Sequence, residues 1–246
     1  MAHCLKVLSC ALALPALVAW PVQAQDPVTP FAEDVLLHVI AHEIGHAVIR
    51  EFDLPILARE EMQADMFATL AISLLFPERS DAVIRARVQS LLLEGDDESV
   101  FSEYPDDYDR AGQILCLYYG LASQDRTEFA QEFGLTGDDA TNCRGTAPEI
   151  ARSWRRLTAP LLRPDYAPVT EVAIRYAETD IPQALSDSET MQQAYTLLAT
   201  FDWHSMITLR IESCEDTAYW QRNGRVLMVC DSYIERFNEQ AGQITP

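Results

Sequence analysis

His42-Glu43-Ile44-Gly45-His46 is the stretch whose reading decides the rest of the chain. It sets two imidazoles four residues apart, with a carboxylate directly after the first. On a helix, positions i and i+4 share one face, one turn apart. Both rings can then reach a single zinc ion at about 2.0–2.1 Å. Glu43 is rotated away from the two ligands, so its carboxylate can address a water on the ion without binding the ion itself. Two ligands and a general base within one helical turn are the components of metal-assisted hydrolysis.

That geometry requires a helix, and the flanking sequence predicts one. Thr29-Pro30 reads as an N-cap followed by proline at the first helical position. Apolar residues recur at Phe31, Val35, Val39, Ala41, Ile44, Val48 and Ile49, close to a period of 3.6. No proline interrupts before Pro55, which places the motif inside a helix over about 30–52. Gly45 is a poor helix former, disfavoured by about 1 kcal/mol against alanine. Its place in mid-helix implies close approach of another backbone or of a substrate.

A catalytic zinc generally has three protein ligands and one open position. The next helical pattern, over about 59–76, begins Arg59-Glu60-Glu61-Met62-Gln63-Ala64-Asp65. This text resembles the second-helix motif of gluzincin metallopeptidases, in which a glutamate is the third zinc ligand and an aspartate four residues on orients the first histidine. The resemblance implies Glu61 as ligand and Asp65 as the hydrogen-bond partner of His42. Spacing of i, i+4 puts both carboxylates on one face. Glu60 is the rival, but with it as ligand Asp65 falls at i+5, off that face. As a first-turn acid, Glu60 also complements the helix dipole. His38 extends the stripe, yet i, i+4 and i+8 span about 12 Å of rise, too far for one ion, so it is expected as a supporting or surface histidine. His204 follows Trp203 in a turn and is expected to be a solvent-exposed loop residue, with an oxyanion-stabilising role as the alternative.

More of the chain resembles the DUF4344 metallopeptidases, secreted bacterial proteins. The carrying text is HEIGHAVIREFDLPILAREEMQADMFATL, from His42 to Leu70, with further likeness at Ile114–Gly120, Cys143 and Arg152–Leu162. A cysteine-containing hairpin of the family resembles Ser213–Glu235, although in the family it precedes the zinc helix and here it follows everything else. Close surface termini make such a permutation tolerable.

Residues 1–24 read as a signal peptide, with Lys6 near the start, an apolar stretch to Trp20 and Val22-Gln23-Ala24 as a small-residue cleavage site. Residues 25–246 then form a single zincin-like domain, exported to the periplasm or beyond and without a stable membrane anchor once the leader is cleaved. Of six cysteines, Cys4 and Cys10 leave with the leader. The remaining four suit an oxidising compartment. The favoured pairing is Cys116–Cys143 and Cys214–Cys230, the second because it flanks the turn signal Asn223-Gly224.

A net charge of −20 argues against nucleic acid as a partner, since phosphates call for basic patches. It suggests a preference for basic or neutral substrates, although the acid runs at 94–98 and 103–109 also read as solvated loops. Further helices are expected near 80–93, 107–124, 147–157 and 188–200, and strands near 171–177, 206–211 and 225–229. The fold class is therefore helix-rich α+β with a small antiparallel sheet. By resemblance to zincins, the C-terminal strands are candidates for binding extended peptide at a sheet edge. The leading expectation is a Zn²⁺-dependent metallopeptidase acting on peptide or protein substrates, with Glu43 as general base. The alternatives are a catalytically inactive zinc-binding envelope or binding protein, and an exported helical protein with a chance motif.

Overall fold

The computed structural model describes residues 27–56, 59–95, 106–165, 167–177 and 183–244. The expected leader and half of the acid-run residues, 96–98 and 103–105, lie outside them. Helix α1 (Pro30–Glu51) starts as its sequence predicts. The Thr29 side chain accepts from the Ala32 backbone N–H and Pro30 sits in the first turn. Fifteen of its 22 residues are buried, so α1 is a central helix covered on nearly all sides. Helices α2 (Glu60–Leu75), α3 (Pro77–Glu94), α8 (Glu189–Ala199) and α9 (Asp231–Ala241) pack around it. Helix α4 (Asp107–Leu121) lies against α2, α3 and α6 (Gly137–Thr158), with the short α5 (Thr127–Glu132) between α4 and α6 in sequence and α7 (Gln183–Ser186) leading into α8.

The sheet contains β1 (Val172–Ala177), β2 (Ile207–Glu212), β3 (Ala218–Gln221) and β4 (Val226–Cys230), in the order β1-β2-β4-β3. It is mixed rather than antiparallel, which corrects the sequence expectation. β1 pairs parallel with β2, and β2 parallel with β4, while β3 and β4 alone are antiparallel. The reason is connectivity. α7 and α8 separate β1 from β2 and allow a crossover. The chain then passes β2 to form β3 at the edge and returns through the 222–225 turn as β4, which inserts between them. Ile207, Leu209 and Ile211 of β2 and Leu227 and Val229 of β4 are fully buried and join the core around α1.

Other boundaries also move. α3 begins at Pro77 rather than near 80, because proline is favoured in a first turn. α6 begins ten residues before its expected start and carries Pro148 inside it. α5, α7 and α9 have no counterpart among the expected helices, and β3 is the first strand of the hairpin that the family resemblance placed at Ser213–Glu235. The cysteines pair Cys116–Cys143, joining α4 to α6, and Cys214–Cys230, closing the loop that contains β3. Among the described residues no helix is long and apolar enough to cross a membrane.

Candidate metal centre

Gly45 explains why α1 and α2 can present their side chains to one point. A Cβ built on it would lie 3.0 Å from Ala64 Cα and 3.1 Å from Phe67 Cδ1. The close approach implied by the sequence is therefore that of another backbone. With the helices this close, His42 Nε2 lies 3.1 Å from His46 Nε2 and 3.1 Å from Glu61 Oε2, and His46 Nε2 lies 3.3 Å from Glu61 Oε1. These three residues form a cluster that can hold a metal ion, each offering one ligand atom.

Both imidazoles are held from behind. His42 Nδ1 donates to Asp65 Oδ1 at 2.7 Å, and His46 Nδ1 donates to Glu60 Oε1 at 2.9 Å. Ionised carboxylates only accept, so each bond fixes the proton on Nδ1 and frees Nε2 for an ion. Arg110 of α4 grips Asp65 with two donors, Nε at 2.8 Å and Nη2 at 3.1 Å. Arg50 likewise donates to Glu60, through Nε at 2.9 Å. His38 is fully buried one turn away, its Nε2 3.5 Å from the Thr69 hydroxyl, which in turn donates to the Asp65 carbonyl. It is thus neither a ligand nor a surface residue. His204 is exposed and packs its ring against Phe52, 5.1 Å between centroids.

The electrostatics follow from these contacts in the metal-free site. Burial opposes charge on His42, but Asp65 outweighs it and raises the imidazole above its ordinary value. Burial also opposes charge on His46, yet its bonds to Glu60 and Glu61 push it up to about 10. Glu61 and Asp65 run the other way. Despite burial, the histidines hold Glu61 far below the carboxylate range, and Arg110 together with His42 does the same for Asp65. His38 is lowered by burial and stays neutral. Glu43 is 5% exposed, burial raises its carboxyl, and its Oε2 has no hydrogen-bond partner among the described residues.

Glu43, His46, Glu60 and Glu61 open onto a cleft of about 560 Å³ whose other side is Ala218, Tyr219, Trp220 and Arg222, on β3 and just after it. The Trp220 indole N–H is buried without an acceptor among the described residues.

The family model described as "Putative metallopeptidase", DUF4344, matches residues 22–158, more than half of the chain. The chain belongs to the DUF4344 family. No curated protein and no solved structure matches it. The DUF4344 match spans every residue of the His42–His46–Glu61 cluster and its supports Glu60, Asp65 and Arg110, but ends before the β3 side of the cleft.

Sequence reasoning brought together His42, Glu43, His46, Glu61 and Asp65 and missed three contributors. Glu60 is the His46 partner rather than a bystander at a helix start. The signal was its adjacency to Glu61, since two carboxylates 100° apart on a helix can flank one ring from two sides. Arg110 lies 45 residues from its partner Asp65, with no local pattern to announce it. The β3 segment has only four residues, too few for alternation to register.

Proposed function

We propose that this chain is an exported, zinc-dependent peptidase of gluzincin type, in which His42, His46 and Glu61 hold the metal and Glu43 is the general base. One observation carries the reading: His42 Nε2 and His46 Nε2 lie 3.1 Å apart, each imidazole faces one carboxylate oxygen of Glu61 (Oε2 at 3.1 Å and Oε1 at 3.3 Å), and one ligand atom from each residue falls within 4.8 Å of the others. Zinc bound tetrahedrally at about 2.0–2.1 Å has ligand atoms about 3.3 Å apart, so the residues present fit that ion. The leader pattern at 1–24 and the two disulfides support export.

When bound, zinc supplies a Lewis acid that polarises the scissile carbonyl and lowers the pKa of water. The protein's own groups do the rest. Asp65 and Glu60 keep the Nδ1 protons in place and aim both Nε2 lone pairs. Glu43 takes the proton of the attacking water on its unpartnered Oε2 and delivers it to the leaving amine. Burial makes that carboxylate a stronger base than an exposed glutamate. β3, at the sheet edge beside α1, offers backbone groups along which an extended peptide can lie.

The test compares wild type, Glu43→Gln and chelator-treated protein by metal analysis and by mass-spectrometric detection of cleaved peptides. Glu43→Gln is expected to retain one zinc per chain and to lose about 10²–10⁴-fold in cleavage rate. Cleavage at the wild-type rate by zinc-loaded Glu43→Gln would sink the mechanism. Bound zinc without cleavage in wild type would instead identify an inactive zinc-binding protein.

A further inference from the structure

A net charge of −20 leads one to expect basic or neutral ligands, but the local balance in the cleft is different. Its charged lining consists of Glu43, Glu60 and Glu61 against Arg50, Arg59 and Arg222, with His46 between them. Two of the acids are already engaged and the third is buried. Glu61 faces the two imidazoles, Glu60 takes bonds from His46 and Arg50, and Glu43 is buried. Arg50 is correspondingly taken up by Glu60. Arg59 and Arg222 are both exposed, and neither side chain has a hydrogen bond or ion pair with a described residue.

The two stand on different sides of the cleft. Arg59 immediately precedes α2, next to the supporting Glu60, and Arg222 immediately follows β3. A second cleft shares Arg50 and Arg222 with the first and adds Arg225, which is paired to Glu51 at 2.8 Å. The guanidinium surface is thus continuous from the metal cluster to the hairpin turn. Guanidinium is the side-chain group best matched to a carboxylate, which it binds through two parallel N–H donors. The repulsion from the chain's overall charge is screened beyond about 8 Å at physiological ionic strength, whereas direct contacts are not.

We propose that Arg59 and Arg222 make this cleft a receptor for peptide carboxylates, so that acidic segments are the preferred substrates. The inference rests on the peptidase reading of the same site. The carboxylate can come from an Asp or Glu side chain or from a peptide C-terminus.

The test uses zinc-loaded, full-chain Glu43→Gln and fluorescein-labelled decapeptides of alternating Ala-Glu, Ala-Gln or Ala-Lys, each with a free and an amidated C-terminus. Fluorescence anisotropy gives Kd. The Glu peptide is expected to bind about tenfold more tightly than the Gln peptide, from two exposed ion pairs, and the Lys peptide most weakly. Adding Arg59→Glu and Arg222→Glu is expected to invert the ranking, and Arg59→Lys with Arg222→Lys to keep its order. Each reversal alone removes one attraction and adds one repulsion and is expected to shrink the ratio about tenfold, to near unity, which keeps the test open if the double variant fails to fold. Equal affinity for Glu and Gln peptides combined with indifference to amidation, or binding indifferent to charge reversal, would overturn the proposal. A Glu-over-Gln preference assigns the carboxylate to side chains; weaker binding of every amidated peptide than of its free counterpart assigns the C-terminus. The same peptides given to zinc-loaded wild type separate the two readings. Acidic preference in binding without any cleavage overturns the peptidase reading alone, and cleavage without acidic preference overturns the carboxylate receptor alone.

Discussion

Gly45→Ala places one methyl group at the contact between α1 and α2, where two effects oppose each other. Alanine favours the helix over glycine by about 1 kcal/mol. The new Cβ, however, meets Ala64 Cα at 3.0 Å, Phe67 Cδ1 at 3.1 Å and Ala64 Cβ at 3.3 Å. The nearest atom is backbone, and the Phe67 ring is itself confined by Trp154 and Phe201, with centroids 5.4 and 5.8 Å away. Relief must come from the two helices moving apart by a few tenths of an ångström, and such overpacking costs about 1–3 kcal/mol. The net expectation for metal-free protein is a loss of about 1 kcal/mol. Zinc binding suffers more selectively. α1 supplies both histidines and α2 supplies Glu61, so separation lengthens the His–Glu distances while leaving His42 and His46 as they are. Metal sites tolerate only about 0.2 Å in ligand distances, and a tenfold loss of zinc affinity is expected. Urea unfolding in chelator measures the first effect, and competition with a chromophoric zinc chelator the second. Gly45→Val should worsen both. A Gly45→Ala protein that is about 1 kcal/mol more stable and binds zinc within twofold of wild type would refute the argument that this contact sets the ligand geometry.

Other outcomes follow from the same contacts. Asp65→Asn leaves buried Arg110 with Asp107, at 3.4 Å, in place of its two-donor grip on Asp65 and is expected to cost about 3 kcal/mol in stability and 10–100-fold in zinc affinity, read by the same two titrations. His46, raised from 6.5 to about 10, stabilises the metal-free fold fully below pH 6.5, and that contribution disappears as pH rises toward 10. Zinc must displace the same proton, so its affinity should rise across that window, with proton release detectable by calorimetry in buffers of different ionisation enthalpy. A Cβ at Gly120 would overlap the Cys143 carbonyl and Ala147, and Gly120→Ala should lower stability by about 3 kcal/mol in a thermal melt. Cys214→Ser with Cys230→Ser removes a cross-link across 16 residues and should cost about 3 kcal/mol in denaturant unfolding.

How much could be read beforehand depended on the range of the interaction. Thr29-Pro30 announces α1 because capping is a local event, His42 and His46 announce themselves because i, i+4 spacing is a local geometry, and Glu61 and Asp65 stand out by resemblance to the gluzincin motif. Of three possible cysteine pairings, the turn signal at Asn223-Gly224 favours Cys214–Cys230, which leaves Cys116 with Cys143. Strand direction is different: nothing in the alternation of Ile207–Glu212 says which neighbour it takes or in what sense. α9 escaped notice because β4 runs straight into it, Cys230 to Asp231, without a loop between them. The first half of α6 was obscured by Gly145 and Pro148, residues that usually mark a boundary but here lie inside a helix anchored to α4 by Cys143.

The two sides of the cleft come from distant stretches of the polypeptide. The histidines and acids that face the prospective ion lie within twenty residues of one another, inside the stretch that identifies the family. Ala218–Arg222, more than 150 positions later, lies outside that stretch. On the proposed function the metal ligands and the base all lie in the first passage, whereas the carboxylate receptor is divided between Arg59 there and Arg222 in the second. Rewriting the 218–225 hairpin would reshape one side of the cleft while leaving His42, Glu43, His46 and Glu61 in place, so on the proposed function substrate choice could change there without change to the metal centre.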